Sequence, residues 1–170
     1  MNSKRMGARN ILFAEDDPRD VELTLAALGE NHLAGNVAVV DNGAEALDYL
    51  YRLGKFKTRA GGNPIVVLLD LKMPKVTGLE VLKIIKTDEH LKTIPVVMLT
   101  SSRETPDLIE CYKHGVNAYV VKPVDFGEFV NAVKQVGVFW AAVNEPPPHG
   151  KREEASVDTG RAISLGNGRG

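Results

Sequence analysis

The chain has 170 residues, 44% hydrophobic and 25% charged, enough to bury one substantial core. Its formal net charge of −1 argues against a general attraction to nucleic acid or anionic lipid. The single Cys111 closes no internal disulfide, and no run approaches the roughly 20 apolar residues of a membrane span.

Residues 1–9 are short, polar and basic. They lack the apolar stretch of a signal peptide, so a flexible N-terminus and a cytoplasmic location are expected. A first strand is predicted over Ile11–Glu15. The helix after it has Asp17 as N-cap, Pro18 in the first helical position, Asp20 and Glu22 in the first turn, and Val21, Leu25 and Leu28 at helical spacing. A second strand covers Val37–Val40, and Asn42-Gly43 turns the chain into a helix over Ala44–Leu53. Lys55–Asn63 reads as a polar, glycine-containing loop, long for this kind of connection. The third strand is Ile65–Asp70, and Thr77 and Glu80 have capping-box spacing at the head of a helix over Gly78–Lys86. A fourth strand, Val96–Thr100, precedes a helix over Thr105–His114, with Gly115 in the position after its end. Ala118–Val121 is the fifth strand. The last helix is predicted from Asp125 to Val143, with Phe126, Phe129, Val130, Val133 and Trp140 at helical spacing. Phe139 and Trp140 are neighbours and cannot both lie on its core stripe, which points one ring outward and suggests a contact surface. From 144 to 170, starting with Pro146-Pro147-Pro148, the composition turns to Gly, Ser and charge. Too little apolar surface remains there to offset ordering entropy, so a disordered or partner-dependent tail is expected.

Continuous apolar runs separated by helices predict parallel strands buried on both faces. The fold class is therefore α/β, a flavodoxin-like doubly wound sheet of five strands in the order 2-1-3-4-5 with five helices. Ligands of such sheets bind beyond the carboxyl ends of the strands. Each long run here ends on a reactive side chain: Glu15-Asp16 after the first, Asp70 after the third, Thr100 at the end of the fourth and Lys122-Pro123 after the fifth. Three clustered carboxylates raise at least one pKa unless a cation relieves them, and a shallow all-oxygen site suits Mg²⁺. Carboxylate is a competent nucleophile toward phosphorus, while an ammonium and a hydroxyl neutralise and bind a transferring phosphoryl group.

The ordered set Glu15-Asp16, Asp70, Thr100 and Lys122-Pro123, together with the Asp70–Gly78 loop carrying Met73-Pro74, resembles the receiver domain of two-component response regulators. The likeness covers about residues 10–143. Ala46-Leu47-Asp48-Tyr49-Leu50, Leu99-Thr100-Ser101-Ser102 and Phe139-Trp140 resemble more closely the single-domain regulators that serve bacterial phytochromes and related sensor kinases.

This resemblance implies a stand-alone phosphoacceptor signalling protein that catalyses only its own phosphorylation and dephosphorylation. Asp70 would accept phosphoryl from a phosphohistidine of a sensor histidine kinase. Mg²⁺ would sit on Glu15, Asp16, Asp70 and the backbone carbonyl of Lys72. Lys122 would pair with the phosphoryl oxygens, its bond to Pro123 being cis. Thr100 would move toward the phosphoryl group, with Tyr119 following inward as the switch. Ser101 would leave access to the phosphate, and Lys72 and Ser102 would flank the route of attacking water. Output would pass through the face of the fourth helix, fifth strand and fifth helix, including homodimerisation, with no direct nucleic-acid binding. A phosphorylation-independent adaptor with the same fold is the alternative. A turnover phosphatase is disfavoured because Lys72 stands where a second acid is needed, and a flavin protein because no phosphate loop follows the first strand.

Overall fold

In the computed structural model, residues 9–148 are described. The elements alternate as β1 (Ile11–Ala14), α1 (Pro18–Gly29), β2 (Val37–Val40), α2 (Gly43–Tyr51), β3 (Val66–Leu69), α3 (Gly78–Thr87), β4 (Val96–Thr100), α4 (Thr105–Lys113), β5 (Ala118–Val121) and α5 (Phe126–Val138). All neighbouring strands pair in parallel, in the order β2-β1-β3-β4-β5, which is the doubly wound order expected. Most of the predicted flexible N-terminus (1–8) and of the tail (149–170) lies outside the described residues.

Every residue of β1, β3 and β4 is buried, whereas β2 and β5 at the sheet edges are mostly half-buried. The pleat sends alternate side chains to opposite faces. Leu12, Ala14, Val67, Leu69, Val96 and Met98 pack under α2, α3 and α4 with Leu50, Leu82, Ile85 and Cys111. Ile11, Phe13, Val66, Leu68, Val97 and Leu99 pack under α1 and α5 with Leu28, Phe129 and Val133.

Local chemistry sets the helix starts. The Asp17 side chain accepts from Arg19 N at 2.9 Å, with Pro18 opening α1. Asn42 accepts from Glu45 N at 2.9 Å, so it caps α2 rather than merely turning the chain. Thr77 and Glu80 close the expected capping box, at 2.7 and 3.3 Å.

The structure refines four expectations. In α1 the buried residues are Thr24, Ala27 and Leu28, while Leu25 stays half-exposed. Phe126 opens α5 with 62% of its surface exposed and lies off the core stripe. The last helix stops at Val138 and widens into a π turn over Phe139–Val143, closed by Asn144 N to Phe139 O at 2.6 Å. That wider turn leaves Phe139 46% exposed, half-buries Trp140, and stacks the two rings edge to face at 5.0 Å. The segment predicted as a polar loop folds back on α2. Phe56 meets the Tyr49 ring at 5.2 Å, and the Arg59 guanidinium lies over it at 4.2 Å.

Candidate functional site

Sheet hydrogen bonding runs one residue beyond three of the strands. Glu15 N donates to Val40 O at 3.0 Å, Asp70 N to Ala14 O at 3.0 Å, and Lys122 N to Thr100 O at 2.8 Å. The reactive side chains are thus anchored by the ladder itself. Glu15, Asp16 and Asp70 bring one carboxylate oxygen each within 4.8 Å of one another. Glu15 is 1% exposed and Asp70 8%, while Asp16 is open to solvent.

Lys122 reaches into this cluster from the end of β5. Its Nζ lies 2.6 Å from Glu15 Oε2, 2.8 Å from Asp20 Oδ2 and 3.8 Å from Asp70 Oδ2. Burial pushes the Glu15 carboxyl up to about 7, a rise reinforced by Asp70 and only partly offset by Lys122 and by the Asp17 amide. Burial also opposes the charge on Lys122, but its bonds to Asp20 and Glu15, with Asp70 nearby, outweigh burial and hold the ammonium above its ordinary value. Three carboxyl groups surround one ammonium, and Asp16 adds a fourth beside Glu15 and Asp70, so the cluster is short of positive charge. An all-oxygen donor set with one solvent-open member suits a hard divalent cation.

Continuing the pleat past the strand ends assigns Glu15, Asp70 and Lys122 to the α1–α5 side. Thr100 follows Leu99 on the opposite side, shared with Tyr119. Thr100 is 1% exposed, and its hydroxyl accepts from Ser102 N at 3.3 Å. Tyr119 is half-buried and donates to Ser102 O at 3.0 Å. The Ser102 hydroxyl donates to Asp107 Oδ2 at 2.5 Å and is almost fully buried. It ties the β4–α4 connection to the first turn of α4. Ser101 is exposed.

The loop from Asp70 to α3 is clamped by two glycines. A Cβ on Gly78 would lie 2.1 Å from the Asp70 carbonyl oxygen, and one on Gly43 would lie 2.0 Å from the Val76 carbonyl oxygen. Between them Val76 N donates to Pro74 O at 2.8 Å across Lys75, whose φ of 66° is left-handed. Lys72 is exposed in this loop. The peptide bond before Pro123 is trans, as are all those among the described residues, contrary to the cis bond the resemblance implied. Trans is the intrinsically favoured isomer even before proline.

Asp20 was legible only as a first-turn acid and Asp107 not at all. Both lie in first turns of helices that start at the carboxyl end of the sheet, and that placement is the signal that would have found them. Cys111 is fully buried, and burial pushes its thiol up to about 11. No helix among the described residues is long and apolar enough to cross a membrane.

The family model for the response regulator receiver domain matches residues 11–134. Response regulator Rcp1 of Synechocystis is 33% identical over 130 residues, covering 76% of this chain and 87% of that protein. The solved structure of the Mn(2+)-bound form of Rcp1 superposes with a TM-score of 0.76 at 32% identity, over 82% of this chain and 99% of that one. The phosphorylated cyanobacterial phytochrome response regulator RcpA gives a TM-score of 0.77 at 34% identity, over 82% of this chain and 98% of that one. The bacteriophytochrome response regulator AtBRR is 59% identical over 81% of this chain and 98% of its own, with a TM-score of 0.65. The chain belongs to the response regulator receiver family of two-component signalling, and phytochrome response regulators are among its relatives.

Proposed function

We propose that the protein accepts a phosphoryl group onto Asp70 from the phosphohistidine of a sensor histidine kinase, of the bacterial phytochrome type, in a Mg²⁺-dependent reaction in the cytoplasm. One observation carries this reading: three carboxylates with oxygens within 4.8 Å, one of them Asp70, face an ammonium 3.8 Å from Asp70. Glu15, Asp16, Asp70 and the backbone carbonyl of Lys72 would hold the cation, which when bound neutralises charge on the carboxylates and on the incoming phosphoryl oxygens.

The chain's own groups do the rest. An Asp70 carboxylate oxygen attacks phosphorus, the bond from phosphorus to the donor's imidazole nitrogen breaks, and its electron pair stays on that nitrogen. Lys122 swings from its resting carboxylates toward the phosphoryl oxygens and offsets their charge. The Thr100 hydroxyl then turns to the phosphoryl group, and Tyr119 moves further inward. These shifts remodel the face of α4, β5 and α5, where Leu108, Ile109, Tyr112, Val124 and Phe126 are exposed apolar residues. That face is the surface for homodimerisation and output.

The test is modification by acetyl phosphate with Mg²⁺, followed by intact-mass spectrometry. The wild-type chain is expected to gain one phosphoryl group and Asp70→Asn none. Equal modification of both would overturn the assignment.

A further inference from the structure

We propose that Asp20 is a positioning residue, a releasable tether that holds Lys122 on α1 in the resting protein and competes with a phosphoryl group on Asp70 for the same ammonium. The inference rests on the reading of Asp70 as phosphoacceptor. Lys122 Nζ sits closer to Asp20 (2.8 Å) and Glu15 (2.6 Å) than to Asp70 (3.8 Å). An ammonium has only three hydrogens to donate. Two of them are taken by these short bonds, and Asp70 lies beyond hydrogen-bond reach, so an ammonium that shifts toward a phosphoryl group on Asp70 stretches away from its present partners and loosens its hold on one of them.

The two partners differ in what their loss costs. The Glu15 side chain is 1% exposed, so in the metal-free resting protein abandoning it strands a carboxyl group away from water. The Asp20 side chain is 29% exposed, and water can take over its oxygens. Asp20 also lies in the first turn of α1, where the helix N-terminus stabilises a free carboxylate. Asp20 is thus the partner that lets go. A carboxylate needed only for the helix dipole would behave differently, because it would not touch Lys122.

The test uses the full chain as wild type, Asp20→Asn, Asp20→Glu and Asp17→Asn. Asp17→Asn removes a neighbouring charge and keeps a good N-cap, so it controls for field and helix effects. Without metal, acylation of Lys122 by acetic anhydride is followed by peptide mass spectrometry. With Mg²⁺, the rates of modification by acetyl phosphate and of phosphoryl loss after the donor is removed are measured.

For Asp20→Asn, Lys122 acylation is expected to rise, phosphorylation to quicken and phosphoryl loss to slow. Each change should be about two- to fivefold, the size of one partly exposed ion pair. Asp20→Glu should return toward wild type, and Asp17→Asn should stay there. If the wild type is modified but Asp20→Asn matches Asp17→Asn, the tether is refuted and Asp70 stands. A wild type that takes no phosphoryl group refutes the reading of Asp70 and the competition with it, whatever the acylation shows.

Discussion

Gly78→Ala tests how the loop beneath Asp70, the proposed phosphoacceptor, is built. The added Cβ would lie 2.1 Å from the Asp70 carbonyl oxygen and 2.9 Å from Leu71 Cα, where ordinary contact begins at 3.4 Å. Both neighbours are backbone, so no flexible side chain can yield, and the strands of the loop must part by roughly 1 Å. The 2.9 Å bond from Gly78 N to Leu71 O spans this gap and would lengthen with it. Overpacking of this kind costs about 1–3 kcal/mol, and a weakened hydrogen bond about 1 more. Alanine returns up to about 1 kcal/mol in helix propensity. A net loss of about 1–3 kcal/mol lowers the melting temperature by roughly 2–10 °C in a chain of this size. The larger effect should fall on chemistry, because a misplacement of about 1 Å at a reacting group can cost up to about a hundredfold. Acetyl phosphate modification with Mg²⁺ should slow by about tenfold to a hundredfold. Gly115→Ala is the control. That residue has a φ of +85° with its nearest outside atom at 3.6 Å, on the Lys86 side chain. It should lose stability by about 1–2 kcal/mol from left-handed strain and keep the wild-type modification rate. A Gly78→Ala chain modified as fast as wild type would refute the claim that close approach of this glycine sets the Asp70 geometry.

Other expectations follow from the buried charges. Glu15 is held at about 7 in the folded chain against an ordinary 4.5, so its contribution to stability is complete below pH 4.5 and drains away as pH rises through 7. The total is about 3 kcal/mol in metal-free protein. Urea titrations in EDTA should show this loss for wild type relative to Glu15→Gln, and a pH-independent difference would contradict it. Tyr119→Phe removes the 3.0 Å bond to Ser102 O and should cost about 1 kcal/mol by the same titration. Cys111, fully buried with its thiol pushed up to about 11, should resist iodoacetamide at pH 8 until the chain unfolds. Rapid labelling of native protein would contradict its placement under the sheet.

The strands were legible because burial on both faces demands unbroken apolar runs, and that demand is strongest for β1, β3 and β4 in the sheet centre. Their polar end residues were legible for the same reason, since an acid after Leu69 or Ala14 interrupts a run that has no local cause to stop. Asp20 hid because a first-turn acid already has an explanation in the helix dipole, and nothing local says that its oxygen reaches Lys122. Asp107 went unread because sequence reports the residue but not the rotamer, and nothing local says that the Ser102 hydroxyl turns to it. Phe56 and Arg59 looked like loop residues because packing onto Tyr49 from an irregular segment leaves no periodic trace. Phe126 matched the helical spacing of α5 yet sits at its first position, where the chain has not yet turned onto the sheet.

The alternation of side chains along the strands makes the sheet a partition at the site. Glu15, Asp70 and the ammonium hang over one helical layer, and the Thr100 hydroxyl with Tyr119 over the other. Under the proposed function, a phosphoryl group on Asp70 would therefore pull on both halves of the molecule through separate handles. One inserted residue within β4 would rotate its terminal hydroxyl to the wrong side and cut one handle while sparing the other. On that proposal, the reading frame of the pleat would join chemistry to output as much as the identity of the reagents does.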